Sequence, residues 1–457
     1  MCNHDSGCGK GIDMKTPIVN FVKEYAENNM TRFHMPGHKG KSFLGCEEYD
    51  ITEVKGADAL YETDGIIAES EANATELFDT ARTLFSTEGS SQCIRAMMYL
   101  VVNAYKGKKK PVVLAARNIH KAFLYAAALV DFDVKWLWPK EMHSICSCEV
   151  STEMVEETLA AMEEVPAAVY ITSPDYLGGQ ADIRGIAEIC HKHGTILAVD
   201  NAHGAYLHFL KKTMHPIDLG ADICCDSAHK TLPVLTGGAY LQISKHAPES
   251  FVRNAKQAMV LFGSTSPSYL TLSSLDLCNR YLNEMYRARL TFMIGKIQSS
   301  KRHIRENGWI VEETEPLKIT IKTPAALGGI RLAEMLRNYN IESEYADENY
   351  LVCMISPENY PEELDYLVEC LGENVYGAAA DVTMSPLRSE QIISIREAMF
   401  AEREHISIKD AEGRICGAPA VSCPPAIPIV VSGEKITAEA IEIFQYYGIT
   451  EVEVIKK

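Results

Sequence analysis

Apolar residues recur along the chain with two periods. Near the start, Ile18, Phe21, Val22 and Tyr25 fall at i, i+3, i+4 and i+7, so the chain reads as helical from Met14. The stretch Arg32 to Gly40 (RFHMPGHKG) then breaks that period with a Pro-Gly turn flanked by two histidines and a lysine, a loop with no packing purpose visible in sequence beyond that of a surface turn. Residues 49–75 are loop-like and acidic, and a helix is predicted from about Glu69 to Leu84. The turn Glu88 to Gln92 leads into an amphipathic helix with Ile94, Met97, Met98 and Val101 on one face. From Pro111 onward the rhythm changes to short apolar strands: Val112 to Ala115, Val134 to Leu137, Ala168 to Thr172, Ile196 to Asp200 and Ile223 to Cys225. Helices alternate with them, most clearly Ile183 to His193, opened by Asp182 and closed by Gly194.

Strands alternating with helices argue for a mainly parallel sheet covered on both faces, and such folds bind ligands beyond the carboxyl ends of the strands. His120 follows the first of these strands, Ser173 to Tyr176 the third, Asp200 and His203 flank the end of the fourth, and Ser227 to Lys230 follow the fifth. After a helical stretch from about Pro248 to Asn307 the pattern restarts as a smaller β-α-β-α unit, with strands at Leu317 to Ile321 and Leu351 to Ile355. Further helices are predicted over 394–400 and 438–447, with the extended segment Cys423 to Pro428 between them.

The 457 residues, 47% hydrophobic and 23% charged, suit a globular protein of more than one domain. The longest apolar run, Ala122 to Val130, is far short of the roughly 20 residues that span a bilayer, and no export signal pattern opens the chain, so a cytoplasmic protein without a membrane partner is expected. A net charge of −18 repels nucleic acid and favours cationic small molecules. The fourteen cysteines are scattered and read as free thiols, and Cys2, His4 and Cys8 make a poor metal site, so no metal is expected.

Candidate chemistry centres on Ser227-Ala228-His229-Lys230, which comes 30 residues after the apolar run ending at Asp200. A buried acid a few dozen residues before a lysine with small hydroxyl and imidazole neighbours is what pyridoxal 5′-phosphate (PLP) requires. The lysine forms the Schiff base and the carboxylate keeps the pyridine nitrogen protonated. Ser90 and Ser91, at a glycine turn opening a helix, would present hydroxyls and N–H groups to a phosphate, although taken alone the turn favours an ordinary serine N-cap.

Seven motifs taken together resemble one family, the PLP-dependent ornithine/lysine/arginine decarboxylases, in a short form lacking a receiver-like N-terminal domain. They are RFHMPGHKG (32–40), RNIHKAF (117–123), ITSPDYLGG (171–179), VDNAHGAY (199–206), DSAHKTLPVLTGGAYL (226–241), STSPSYL (264–270) and, near the end, the IREA, GRI and CPPAIPIVVSGEKIT elements. The resemblance implies an α/β protein of PLP fold type I, the aspartate-aminotransferase-like fold, with a mainly parallel sheet in a large domain, helices on both faces and a smaller C-terminal α+β part. The expected division is a disordered extension over 1–13, an N-terminal helix and active-site loop segment over 14–65, a large PLP-binding domain over 66–307, a small α/β domain over 308–380 and a C-terminal decarboxylase-type domain over 381–457.

Residue by residue, the resemblance implies Lys230 as the Schiff-base lysine, Asp200 as the ring-nitrogen partner, His120 stacked on the ring and His203 near the cofactor's phenolic oxygen. Ser90, Ser91, Ser227 and His229 would contact the phosphate and the lysine side, and Ser264 and Thr265 would reach the phosphate of a neighbouring subunit, implying a homodimer. The chain departs from the family pattern at Asn201, where relatives carry Glu, at Asp175, and at Val421 to Pro425. The implied reaction is decarboxylation of a basic amino acid in polyamine metabolism, arginine favoured over lysine or ornithine, with Lys230 or His229 returning a proton to the α-carbon. An acid must then neutralise the substrate's distal cation, and Asp175 and Asp64 are the candidates. An aminotransferase on the same fold remains open, its carboxylate clamp sought among Arg388, Arg396 and Arg414, as does a PLP-binding regulator without activity.

Overall fold

The computed structural model describes residues 14–62, 64–379, 387–421 and 426–457, so the N-terminal extension with Cys2, His4 and Cys8, and the Ser422 to Pro425 departure, lie outside the described residues. A seven-stranded sheet forms from β1 (Arg82–Ser86), β2 (Val112–Ala116), β3 (Asp133–Leu137), β4 (Ala168–Thr172), β5 (Ile196–Asp200), β6 (Ile223–Asp226) and β7 (Ala239–Ile243), in the order β1-β7-β6-β5-β4-β2-β3. Strands β2 to β6 run parallel, and β7 enters antiparallel between β6 and β1. The fold class is therefore the mainly parallel α/β sheet expected from the alternation of strand and helix.

The central strands β4, β5 and β6 bury both faces because they are apolar at nearly every position before their carboxyl ends, and residue parity decides which side chain goes where. Val113, Ala115, Ala168, Tyr170 and Ala198 pack with the helices over Ser90–Ala104 and Lys121–Val130, while Leu114, Val169, Ile171, Leu197 and Val199 pack on the opposite face. The helices are α1 (Pro17–Glu27), α2 (Ile66–Leu77), α3 (Ser90–Ala104), α4 (Lys121–Val130), α5 (Thr152–Ala160), α6 (Ile183–Lys192), the single turn α7 (Ala228–Thr231), and then α8 (Glu249–Val260), α9 (Tyr269–Tyr281) and α10 (Arg287–Glu306). Asp182 caps α6 by accepting from Gly185 N–H at 3.1 Å, as its position before the apolar stripe implies.

The helix expected from about Glu69 to Leu84 is shorter and begins earlier. It stops at Leu77, Asp79 turns left-handed at φ 51°, and Arg82 to Ser86 become an edge strand paired with β7. Apolar residues at 78, 84 and 85 fit a helical spacing as well as a strand, and pairing with the distant β7, from Arg82 with Ile243 to Ser86 with Ala239, decides between them.

A second sheet of β8 (Ile310–Val311), β9 (Lys318–Lys322), β10 (Tyr345–Ala346) and β11 (Tyr350–Met354) is antiparallel throughout, ordered β10-β11-β9-β8 and covered by α11 (Gly329–Arg337) and α12 (Pro361–Leu371). The remaining chain carries α13 (Ile395–Phe400), β12 (Arg403–Ser407), β13 (Ala420–Val421), β14 (Pro428–Val430), α14 (Ala438–Tyr446) and β15 (Glu451–Ile455). Every cysteine among the described residues is a free thiol, and no described helix is long and apolar enough to cross a membrane.

One buried side chain organises the entrance to α2. Asp58, 5% exposed, accepts from the N–H groups of Ala59, Asp64, Gly65, Ile67 and Ala68 at 3.0 to 3.3 Å, satisfying donors that the first helical turn leaves over. Asp58→Ala strands these donors and is expected to cost about 2–3 kcal/mol of stability in a urea titration; a loss below about 0.5 kcal/mol, the scale of an ordinary surface change, would contradict this role.

Candidate active site

Four carboxyl strand ends and two helix starts meet at one cavity of about 280 Å³. Asp200 ends β5, Thr172 ends β4, Ser227 to Lys230 follow β6, and Gly89 to Ser91 open α3. His120 follows β2 and caps α4, its Nδ1 accepting the Ala122 N–H at 3.1 Å. Of the residues singled out in the sequence, Ser90, Ser91, His120, Asp200, His203, Ser227, His229 and Lys230 all line this cavity.

Asp200 is 2% exposed, and its carboxylate accepts from Tyr170 Oη at 3.3 Å, Ala202 N at 3.2 Å and Cys225 Sγ at 3.5 Å. Burial pushes its carboxyl pKa up, and the Lys230 charge and these donors only partly pull it back. Across the cavity, burial lowers the Lys230 ammonium, opposed by the charge of Asp200. The Lys230 Nζ lies 3.1 Å from His203 Nε2, and desolvation holds His203 well below the ordinary histidine range. His120 behaves likewise. Burial, with the Lys230 and Lys121 charges, lowers it to about 4, so its ring is neutral, as an Nδ1 that accepts the helix cap must be.

The opposite end of the cavity is built for an anion. Helix α3 begins after Gly89, whose φ of 74° suits glycine and which has no side chain to close the helix end. The expected serine cap is thus absent, and Ser90 instead receives the Ser227 hydroxyl at 2.8 Å. His229 is tethered through Nδ1 to the Gly238 carbonyl at 2.9 Å.

The residues fit PLP on an observation independent of the motifs. Among the described residues, His203 Nδ1, Thr172 Oγ1 and both amide atoms of Asn118 are buried on this cavity wall with no hydrogen-bond partner in the protein. A polar ring with hydroxyl and phosphate substituents supplies such partners, and the buried carboxylate of Asp200 calls for a cation beside it. Asn118 and Tyr170 were not anticipated. Asn118 lies inside the RNIHKAF motif, whereas Tyr170 is an aromatic on a strand with no signal beyond its packing.

Three candidates fall outside the lining. Asp175 is buried, but its Oδ1 accepts the Gly179 N–H at 2.7 Å and so holds the turn after β4, and burial raises its carboxyl to about 6. Asp64 is exposed and uses its backbone N–H on Asp58. Thr265 is exposed on the loop whose Ser264 N–H donates to the Glu88 carboxylate, beside the turn that opens α3. The arginines that an aminotransferase would need are engaged elsewhere or out of reach: Arg396 donates to the Ala128 carbonyl, Arg414 to Glu404 and the Ile455 carbonyl, and Arg388 is exposed. Away from the cavity, His215, Cys224 and Asp226 bring ligand-type atoms within 4.8 Å, yet Asp226 already accepts from Asn201 at 2.5 Å and from Gln242, so the group reads as a hydrogen-bonded core cluster.

The cavity roof comes from the far end of the chain. Ala426 and Ile427 line it, the Ala426 carbonyl accepts the Lys121 N–H at 3.1 Å, and Arg117 donates to the Pro428 and Ile429 carbonyls at 3.0 Å while packing over Trp136 and Trp138. Arg117 also pairs with the buried Glu434 at 3.3 Å.

The family model described as "Orn/Lys/Arg decarboxylase, major domain" matches residues 16–327, and the "Orn/Lys/Arg decarboxylase, C-terminal domain" model matches residues 372–454. The chain is 28% identical to the uncharacterized protein YaaO of Bacillus subtilis over 94% of this chain and 93% of that one. It is also 28% identical to an arginine decarboxylase of the same organism, over 93% and 92%. Among solved structures, lysine decarboxylase A from Pseudomonas aeruginosa superposes with a TM-score of 0.79 at 18% identity, covering 96% of this chain and 80% of that one, a likeness of fold.

The neutral, half-buried His120 gives a signed pH dependence. With a folded pKa of about 4 against the ordinary 6.5, the unfolded chain binds a proton that the native protein does not, so stability is lost as pH falls from 6.5 towards 4. Asp175 and Asp276, both raised to about 6, pull the other way, so the informative quantity is the difference between proteins. In cofactor-free protein, His120→Asn keeps a capping acceptor and is expected to lose less unfolding temperature than the parent over this window. Parallel losses in the two proteins would mean that His120 titrates normally.

Proposed function

Because the chain belongs to the Orn/Lys/Arg decarboxylase family, and is accordingly a PLP-dependent decarboxylase acting on a basic amino acid, we propose that its substrate is arginine, converted to agmatine and carbon dioxide for polyamine synthesis in the cytoplasm. The observation that carries this reading is the half-buried Lys230 and the buried Asp200 on one cavity whose wall bears unpartnered polar atoms. Arginine is favoured over lysine and ornithine by the likeness to arginine decarboxylases along more than nine-tenths of both chains.

When bound, PLP supplies an electron-accepting ring that takes up the electron pair left on the α-carbon as the carboxylate departs. The protein's part is orientation, exclusion of water and control of protons. Lys230 Nζ would hold the cofactor as an imine, and burial, which lowers its pKa, favours the neutral amine that forming this bond requires. Asp200 keeps a proton on the ring nitrogen, and its own hydrogen bonds from Tyr170, Ala202 and Cys225 fix the direction of its carboxylate. His120, neutral, offers a flat face for stacking and is a poor acid at neutral pH. His203 Nδ1 is free to meet the ring's hydroxyl side. Ser90, Ser91 and Ser227, at the positive end of α3, are the phosphate contacts. Lys230, with His229 as the second candidate, returns the proton to the α-carbon.

The enzyme acts as a homodimer in this reading, with Ser264 and Thr265, exposed beside the α3 turn, serving the phosphate of the second copy. The divisions at residues 65, 307 and 380 remain part of the proposal, supported by the separate sheets on either side of 307.

Incubation with carboxyl-labelled arginine, lysine and ornithine is expected to release labelled carbon dioxide fastest from arginine, with agmatine identified by mass spectrometry. Release from lysine or ornithine alone would replace the substrate, and formation of a keto acid without labelled gas would overturn the reaction. Lys230→Ala is expected to lose both turnover and the visible-edge absorbance of lysine-bound cofactor, and an unchanged spectrum would mean the wrong lysine.

A further inference from the structure

A substrate with a distal cation needs an opposing charge at the far end of its cavity. Among the described residues lining it, Asp200 is the one carboxylate, and it is committed to the cofactor's end. Asp175 is turned onto Gly179 and Asp64 stands outside. Among the described residues, an acid that stands behind the wall is bonded to a residue that lines it.

Tyr176 is the wall residue that meets such an acid. Its hydroxyl donates to Glu344 Oε1 at 2.7 Å. The ring is held from several sides: edge-on to His203 at 5.0 Å, against Tyr345 at 5.4 Å, and with Lys318 Nζ 5.9 Å from its centroid. Its backbone is fixed as well, since Lys318 Nζ donates to the Asp175 and Tyr176 carbonyls at 2.9 and 3.2 Å, and Thr320 donates to Leu177 O at 2.7 Å. The second sheet thus clamps the loop after β4 and aims the phenol at Glu344.

Glu344 itself sits on the last residue before β10, its N–H bound to Val352 O at 2.9 Å and its side chain exposed. Its exposure leaves the carboxylate accessible to a second cation. We propose that Glu344, held by the Tyr176 hydroxyl, receives the distal cation of the substrate; this deepens the basic-amino-acid reading and rests on it. Lys318 does not need Glu344 for neutralisation, because Glu315, equally buried, lies 3.8 Å from its Nζ. Burial lowers the Lys230 ammonium while Asp200 and Glu344 are the carboxylates that oppose it, so the field of Glu344 reaches the cavity. A guanidinium or ammonium arriving there would gain a charge-assisted hydrogen bond from a pre-aimed acceptor.

The alternative is that the Tyr176–Glu344 bond is only a strut between loop and sheet. Two measurements on the holoenzyme separate the readings. In steady-state decarboxylation, Glu344→Gln is expected to raise KM for the preferred basic amino acid about 10- to 100-fold, with kcat changed less than about threefold. In calorimetry, the same variant is expected to bind agmatine about 10- to 100-fold more weakly than wild type, while pentylamine, which lacks a distal cation, binds both proteins alike. Glu344→Asp is expected to recover part of the agmatine affinity, and Tyr176→Phe to lose less than Glu344→Gln.

Unchanged agmatine binding in Glu344→Gln, or an equal loss for agmatine and pentylamine, overturns the assignment. If wild type discriminates agmatine from pentylamine through Glu344 but releases no carbon dioxide from any basic amino acid, the cation site stands and the decarboxylase reading fails, so the two outcomes are distinct.

Discussion

Two opposite charges are kept out of water at one cavity: the carboxylate of Asp200 and the amine of Lys230. Burying either alone costs several kcal/mol, and much of the surrounding architecture reads as the means of making that burial tolerable. Tyr170 and Cys225 donate to Asp200 from the neighbouring strands and the Ala202 N–H from the turn that follows it, while His203 stands 3.1 Å from the lysine. Both groups are shifted from their ordinary protonation balance, in the sense the proposed roles require: a bound pyridinium would satisfy the acid, and a neutral amine would be the reactive form of the lysine.

The cavity is assembled from segments that are remote in sequence and fixed by polar bonds. The parallel sheet sets Thr172, Asp200 and Ser227 side by side at its carboxyl edge, which is where such sheets leave room for a ligand. The antiparallel sheet clamps the loop after β4 through Lys318 and Thr320. The C-terminal segment closes the roof through Arg117, whose guanidinium is spread across two backbone carbonyls and Glu434 and packed between two tryptophans. Arg117 and Lys121 lie in the same motif as His120, which accounts for that motif more fully than a stacking histidine does.

Much of this was legible from residue order. Short continuous apolar runs between helical stripes mark the core strands, because a strand covered on both faces has to be apolar at nearly every position, and the lysine and acid stand at or just after strand ends. The edge strand at 82–86 was hidden, since its apolar spacing serves a helix equally well and only the distant β7 decides. Asp175 looked like a ligand-binding acid, but nothing local reveals that its carboxylate turns onto the N–H of Gly179. Tyr170 gave no warning for the complementary reason: its contact with Asp200 spans two adjacent strands and leaves no pattern in either. The HMPGHKG loop was conspicuous, yet in this chain its histidines bond to Tyr25 and Asp50, away from the cavity.

The pairing of Lys230 with one bound cofactor is the claim on which the rest depends. Borohydride reduction of the cofactor-loaded protein followed by peptide mass mapping tests it directly. The account predicts a pyridoxyl-phosphate adduct on the peptide containing Lys230, with none remaining after Lys230→Ala. An adduct on another lysine, or reduction that leaves every lysine unmodified, would contradict it.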